Sequence, residues 1–157
     1  MDAITFLKDE HKAVAKLLRE LGGLGDRALV RRKKLTDQVV EALSKHIAIE
    51  EAIFYPRVRE EVDGTDDDIL ESLEEHHLVK WTLEELRHLE PSDERFDAKV
   101  TVLTELVRHH VEEEETGWFP KVRKAIGRRE LAEIGAQLQA ARAKASAKPL
   151  PERVAGR

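Results

Sequence analysis

The sequence predicts an all-α protein: an up-down-up-down four-helix bundle followed by a shorter helix. Three observations lead there. Of the 157 residues, 38% are charged and 41% hydrophobic, with five prolines and eight glycines, a mixture typical of soluble helical domains. Apolar residues recur three and four apart through four long segments. Clusters of Gly, Pro, Ser and Asp fall between those segments and separate them.

The first segment, 3–21, places Leu7, Val14, Leu17, Leu18 and Leu21 at helical spacing behind Asp2, a good N-cap. GGLGD (22–26) ends it, and Asp26 is the expected cap of a second helix, 28–55. VDGTDDD (62–68) ends the second helix, and one of Asp66 to Asp68 is the expected cap of a third, 68–88. LEPSDE (89–94) then leads through Ser92 into a fourth, 93–118. Pro56 and Pro120 each stand just beyond a long segment and are expected to end or kink it. The chain therefore divides into a bundle over 1–126, a C-terminal helix over 127–145, and a polar, proline-containing tail over 146–157 that is expected to be disordered.

The four segments repeat in pairs. HIAIEEAIFYP (46–56) aligns with HVEEEETGWFP (110–120), pairing His46 with His110, Glu50 with Glu114, Glu51 with Glu115 and Pro56 with Pro120. DEHKAVAKLLREL (9–21) aligns with EEHHLVKWTLEEL (74–86), pairing His11 with His76. Each hairpin thus carries one histidine on its first helix and a His-x-x-x-Glu on its second. Residues four apart share a helix face, so His46 projects beside Glu50 and His110 beside Glu114.

Four imidazoles and two carboxylates aimed at one bundle centre are too many for a tetrahedral zinc. They suit two ions with shared carboxylates, of the kind iron or manganese accepts. The ferritin-type di-metal bundles use Glu-x-x-His spacing, the reverse order. A lone His-x-x-x-Glu would be a weak signal, and His109 with Glu113, out of register with the repeat, is read as solvated surface. Duplication could also preserve the pattern in a bundle without metal. Tyr55, the single tyrosine, stands five residues after Glu50; it either donates a phenolate to a metal or packs at the bundle end with its hydroxyl in water. His77 is rotated about 100° from His76 and is read as a rim residue, with a ligand role as the alternative. Trp81 and Trp118 fit apolar faces and are expected in the core, and the glutamates of the run 112–115 other than Glu114 in solvent.

The absence of cysteine removes thiolate metal sites, disulfides and cysteine nucleophiles. A net charge of −5 gives no reason to expect a nucleic-acid partner. No apolar run is long enough to span a bilayer, and MDAITFLKDEH does not read as a signal peptide, so the expected address is the cytoplasm.

The order His11, His46-x-x-x-Glu50, His76, His110-x-x-x-Glu114, with the endings EEAIFYP and EEETGWFP, resembles the hemerythrin-like proteins, the HHE cation-binding domains, over about residues 3–125. That resemblance implies a four-helix bundle around a non-heme di-iron centre, oxo- or hydroxo-bridged, with Glu50 and Glu114 at the bridging positions. The metal set it implies is His11, His46, Glu50, His76, His110 and Glu114, with Tyr55 as a further candidate. Oxygen-carrying hemerythrins have a fifth histidine on the third helix; here Ser72, Leu73 and Lys80 stand one turn from His76, so the set is one imidazole short. This favours a redox protein acting on hydrogen peroxide, nitric oxide or dioxygen over reversible oxygen carriage. Peroxide disproportionation is the leading reaction; binding or sensing of oxygen, nitric oxide or iron without turnover, and a structural bundle, are the alternatives. The expected partner is a small oxidant or gas, with the chain a monomer or weak homodimer.

Overall fold

Asp2 caps the first helix as its side chain suggests, accepting a hydrogen bond from the Thr5 backbone N–H at 2.8 Å. In this computed structural model, which describes residues 1–149, α1 (Ala3–Gly22) packs against α2 (Leu29–Ile49) and α5 (Phe96–Glu112). α4 (Asp66–Arg87) packs against α2 and α5, closing the square of an up-down-up-down bundle.

The other expected caps differ. Helix α2 starts after Ala28, not Asp26, and α5 after Arg95, where Asp93 instead accepts from the Arg95 N–H. Thr65 precedes α4, and Asp66, Asp67 and Asp68 fill its first turn, where negative charge is favoured by the helix dipole. Gly64 just before it has φ +79°, a conformation that costs glycine little and β-carbon-bearing residues more. Near the start of α2, buried Arg32 reaches across to the start of α5: it donates to the Pro91 carbonyl at 2.9 Å and to Asp97 at 2.9 Å, and its guanidinium lies 5.0 Å over the Phe96 ring.

Neither proline ends its helix. The chain stays helical through a π turn, Glu50–Phe54, into α3 (Tyr55–Glu61), and through a second π turn, Glu113–Trp118, into α6 (Phe119–Ala125). The Tyr55 N–H bonds the Glu50 carbonyl, and the Phe119 N–H bonds the Glu114 carbonyl, each five residues back instead of four. Pro56 and Pro120, having no N–H, sit in the first turn of α3 and of α6, where none is required.

The core has two lobes. One gathers Ile4, Leu7, Phe54, Tyr55, Ile69, Trp118 and Phe119; the other Val14, Leu18, Leu43, Val79, Leu83, Leu103 and Val107. Between them lies a polar layer: His11 stands between Leu7 and Val14, His46 between Leu43 and Ile49, His76 between Ile69 and Val79, and His110 between Val107 and Trp118. Trp118 is buried as expected, but Trp81 is 53% exposed. The buried stripe of α4 runs Ile69, Ser72, His76, Val79, Leu83 and Leu86, and Trp81, two residues past Val79, lies on the other side.

Helix α7 (Arg128–Lys144) contributes Leu131, Ile134 and Leu138 to the first lobe. Of the tail, 150–157 lie outside the described residues, whereas Ser146, Lys148 and Pro149 line a small cavity with Glu51 and Lys80, and Pro149 is buried. Gly135 sits against the backbone of Met1, Asp2 and Ala3, and a Cβ there would overlap the Met1 carbonyl oxygen. Gly135→Ala is therefore expected to destabilise the protein by about 1–3 kcal/mol, the usual cost of overpacking, read from chemical unfolding of the metal-free chain.

Candidate metal centre

The six expected groups meet in the polar layer. Glu50 and Glu114 are fully buried, and the four histidines are nearly so. His46 Nε2 and His76 Nε2 lie 3.2 and 3.1 Å from the same oxygen, Glu50 Oε1. His11 Nε2 lies 3.2 Å from Glu114 Oε1, and His110 Nε2 3.4 Å from Glu114 Oε2. Each carboxylate therefore lies against histidines of both hairpins.

Two overlapping donor sets result. His11, His46, Glu50 and Glu114 each offer an atom within 4.8 Å of the others, and so do Glu50, His76 and His110. In the first set, His11 Nε2, His46 Nε2, Glu50 Oε2 and Glu114 Oε1 make no hydrogen bond to any described residue. The 3.2 Å contacts within the set are short yet not aligned as hydrogen bonds. Buried polar atoms are rarely left so. Four of them converging, two neutral-capable nitrogens and two carboxylate oxygens, is the donor chemistry of a hard or borderline divalent cation. The residues fit a metal.

Tyr55 is 2% exposed, so its hydroxyl does not reach water. It donates to Glu114 Oε2 at 2.5 Å and lies 3.3 Å from Glu50 Oε1, 3.2 Å from His76 Nε2 and 3.4 Å from His110 Nε2. The π turn explains this: widening the turn by one residue brings a side chain five positions on back to the face of Glu50. The same turn places Phe119, its counterpart in the repeat, against His11, rings stacked at 6.1 Å, as Tyr55 stacks on His76 at 5.2 Å. His77 is only half-buried and falls in neither donor set, while His109 is exposed, 3.9 Å from Glu113.

Sequence reasoning passed over a second ring of carboxylates. The Nδ1–H of His11 donates to Glu115 at 2.6 Å, that of His46 to Glu10 at 2.8 Å, that of His76 to Glu51 at 2.8 Å and that of His110 to Glu75 at 2.7 Å. Such partners fix the tautomer and turn Nε2 toward a metal. Glu115 is thus a half-buried partner, not the solvated residue expected of it. The signal was present: Glu10 pairs with Glu75, and Glu51 with Glu115, in the same repeat register that pairs the histidines.

A profile of the Hemerythrin HHE cation binding domain matches residues 2–122. The chain belongs to this family. Its fold matches the crystal structure of a hemerythrin HHE cation-binding domain-containing protein from Mycobacterium kansasii with a TM-score of 0.79, covering 92% of this chain and 86% of that one at 23% identity. A curated protein of Nostoc sp. strain PCC 7120, named a DNA nickase, is 27% identical over 138 residues; the match takes in 88% of this hemerythrin-like chain and 38% of that protein's length. This is a hemerythrin-like metal-binding domain whose buried His/Glu cluster is able to hold metal. Among the described residues no helix is long and apolar enough to cross a membrane.

Without metal, protons must offset the buried carboxylates. Burial alone would lower the His46 pKa, but Glu50 and Glu10 outweigh it and raise it to about 10. For Glu50, burial acts upward, yet the histidines around it, His46 foremost, hold it well below its ordinary 4.5. Burial and the charges of Glu114 and Glu50 push the Tyr55 phenol well above 10, so it stays protonated. A raised His46 pKa gives stability that is complete below 6.5 and lost as pH rises toward 10; a lowered Glu50 pKa gives stability lost as pH falls below 4.5. The metal-free protein should thus be most stable between about 4.5 and 6.5, as thermal melts across pH will show. Metal takes the place of these protons, so its affinity should rise with pH over the same upper range. Replacing Glu51 or Glu75 by Gln should weaken metal binding by about 10–100-fold, measured by competition with a chelator.

Proposed function

We propose that this chain is a non-heme di-iron protein that acts on small oxidants, with hydrogen peroxide disproportionation as its leading reaction. One observation carries the reading: two donor sets share Glu50, and a protonated tyrosine hydroxyl stands inside one of them. His11, His46, Glu50 and Glu114 would hold one iron, and His76 and His110, with Glu50 and Tyr55, a second. Bound there, the pair would supply a two-electron redox couple, so that of two peroxides one is reduced to two waters and the other oxidised to dioxygen.

The chain's own residues set the conditions. Glu10, Glu51, Glu75 and Glu115 orient the four imidazoles. The apolar lobes above and below keep bulk water from the layer. Tyr55 Oη lies 2.5 Å from Glu114 Oε2 and donates to it, so Glu114 would be the acceptor of the phenol proton were Tyr55 to serve as a ligand. A groove of about 550 Å³ between α1 and α5, lined by Leu18, Val107, Val111 and Glu115, brings solvent to the edge of His11. A small oxidant would enter there, and the chain would work in the cytoplasm as a monomer or weak dimer.

A second reading has its own observation. A void of about 20 Å³ lies against all four histidines, otherwise walled by Val14, Leu43, Ile47, Val79, Val107 and Val111. It has room for one small molecule and offers little polar contact, which suits dioxygen or nitric oxide held without turnover.

Peroxide separates the two. Iron-loaded protein is expected to release one dioxygen for every two peroxides consumed, read with an oxygen electrode; inertness would return the chain to gas or iron binding. Ferric protein should also show a broad visible band from the Tyr55 phenolate that is missing from Tyr55→Phe. If the variant keeps the band, Tyr55 is not the ligand.

A further inference from the structure

One side chain of helix α7 reaches a carboxylate that stands behind the donor histidines. Arg142 donates from Nε to Glu10 Oε2, and the other oxygen of Glu10 accepts the Nδ1–H of His46 at 2.8 Å. Arg142 lies outside residues 2–122, which match the family domain. We propose that Arg142 is a positioning residue for the metal centre: it fixes the Glu10 carboxylate, which fixes the His46 imidazole, so that the C-terminal helix is a working part of the site.

Glu10 has only 11% of its side chain exposed. A carboxylate so far out of water needs a positive partner, and a flexible one bonded through a single oxygen can swing away from its histidine. Arg142 removes both problems at once. The bundle itself supplies a cation for Glu51 and an imidazole for Glu75. Glu51 is held by Lys80 at 2.8 Å, and Glu75 by His109 at 3.3 Å. Glu115 lies in the field of Lys8. For Glu10 the cation comes from α7.

Packing of α7 sets where Arg142 stands. Leu131, Ile134 and Leu138 anchor α7 in the core, and Gly135 lets it approach the backbone of residues 1–3, directly ahead of the turns of α1 that carry Glu10 and His11. The relay ends on His46, which belongs to the donor set with four unpartnered atoms. Loss of Arg142 should therefore loosen that half of the centre and leave His76 and His110 in place.

The inference rests on metal binding by the cluster and not on peroxide turnover, so an iron-loaded protein inert to peroxide would leave it standing. Full-length protein loaded with iron is exposed to excess chelator, and release is followed optically. Arg142→Ala is expected to speed release of one iron about tenfold, the low end for outer partners of a metal ligand, and Arg142→Lys to restore most of the retention. In a Glu10→Gln background Arg142→Ala should add nothing, because both changes cut the same relay. Equal release by the wild type and Arg142→Ala overturns the proposal. Additive effects overturn it too, since they would show α7 acting through docking alone. A second measurement needs no metal: in the metal-free protein the His46 Nδ1–H proton, assigned by its loss in His46→Ala, should exchange with water faster in Arg142→Ala, and unchanged exchange overturns the proposal.

Discussion

Two carboxylates with no exposed surface, Glu50 and Glu114, lie at the middle of a helical bundle, and the rest of the structure answers to them. A buried carboxylate left alone would cost several kcal/mol even after relaxation. Here four imidazoles surround the pair, and metal or protons supply the compensating charge. The imidazoles are themselves held by four further glutamates, and those by Lys80, His109 and Arg142 or the nearby charge of Lys8. Acidic side chains and nitrogen donors alternate in shells from the centre to the surface, and each shell sits on helices of the bundle.

Duplication built this arrangement nearly symmetric. His11 answers to His76, His46 to His110, Glu10 to Glu75 and Glu51 to Glu115. The carboxylates join the hairpins: Glu51 holds His76 and Glu115 holds His11, so neither hairpin orients its own histidines unaided. Symmetry breaks at the ring that follows each π turn. Tyr55 and Phe119 take equivalent stacking positions, and one hydroxyl oxygen makes the two donor sets chemically different. The proposed di-iron site would therefore have unlike halves, one able to bind substrate and the other to hold charge.

Much of the fold and of the donor set was legible along the chain, because helical periodicity and the repeat register are both local patterns. The expected helix positions came within a few residues, and the six donors followed from aligning the halves. What escaped detection involved partners distant in sequence. Trp81 looked like core from its apolarity, but the buried stripe of α4 is set by which neighbours it meets. Asp26 and Ser92 looked like caps, yet the loops before α2 and α5 end differently. The prolines suggested that each helix ends or kinks, and the π turn that carries it onward leaves no clear mark in composition.

By itself the sequence determined an all-α bundle of two hairpins, a set of four histidines and two glutamates, and the family to which they belong. Those conclusions depend on spacing of three, four and about 65 residues, which one strand of text contains in full. Only the tertiary structure decided that Tyr55 points inward, that Glu10, Glu51, Glu75 and Glu115 stand behind the histidines, and that α7 reaches in through Arg142. Each of these is a meeting between helices, set by packing distances and by the need to pair buried charge, and so no single segment could announce it.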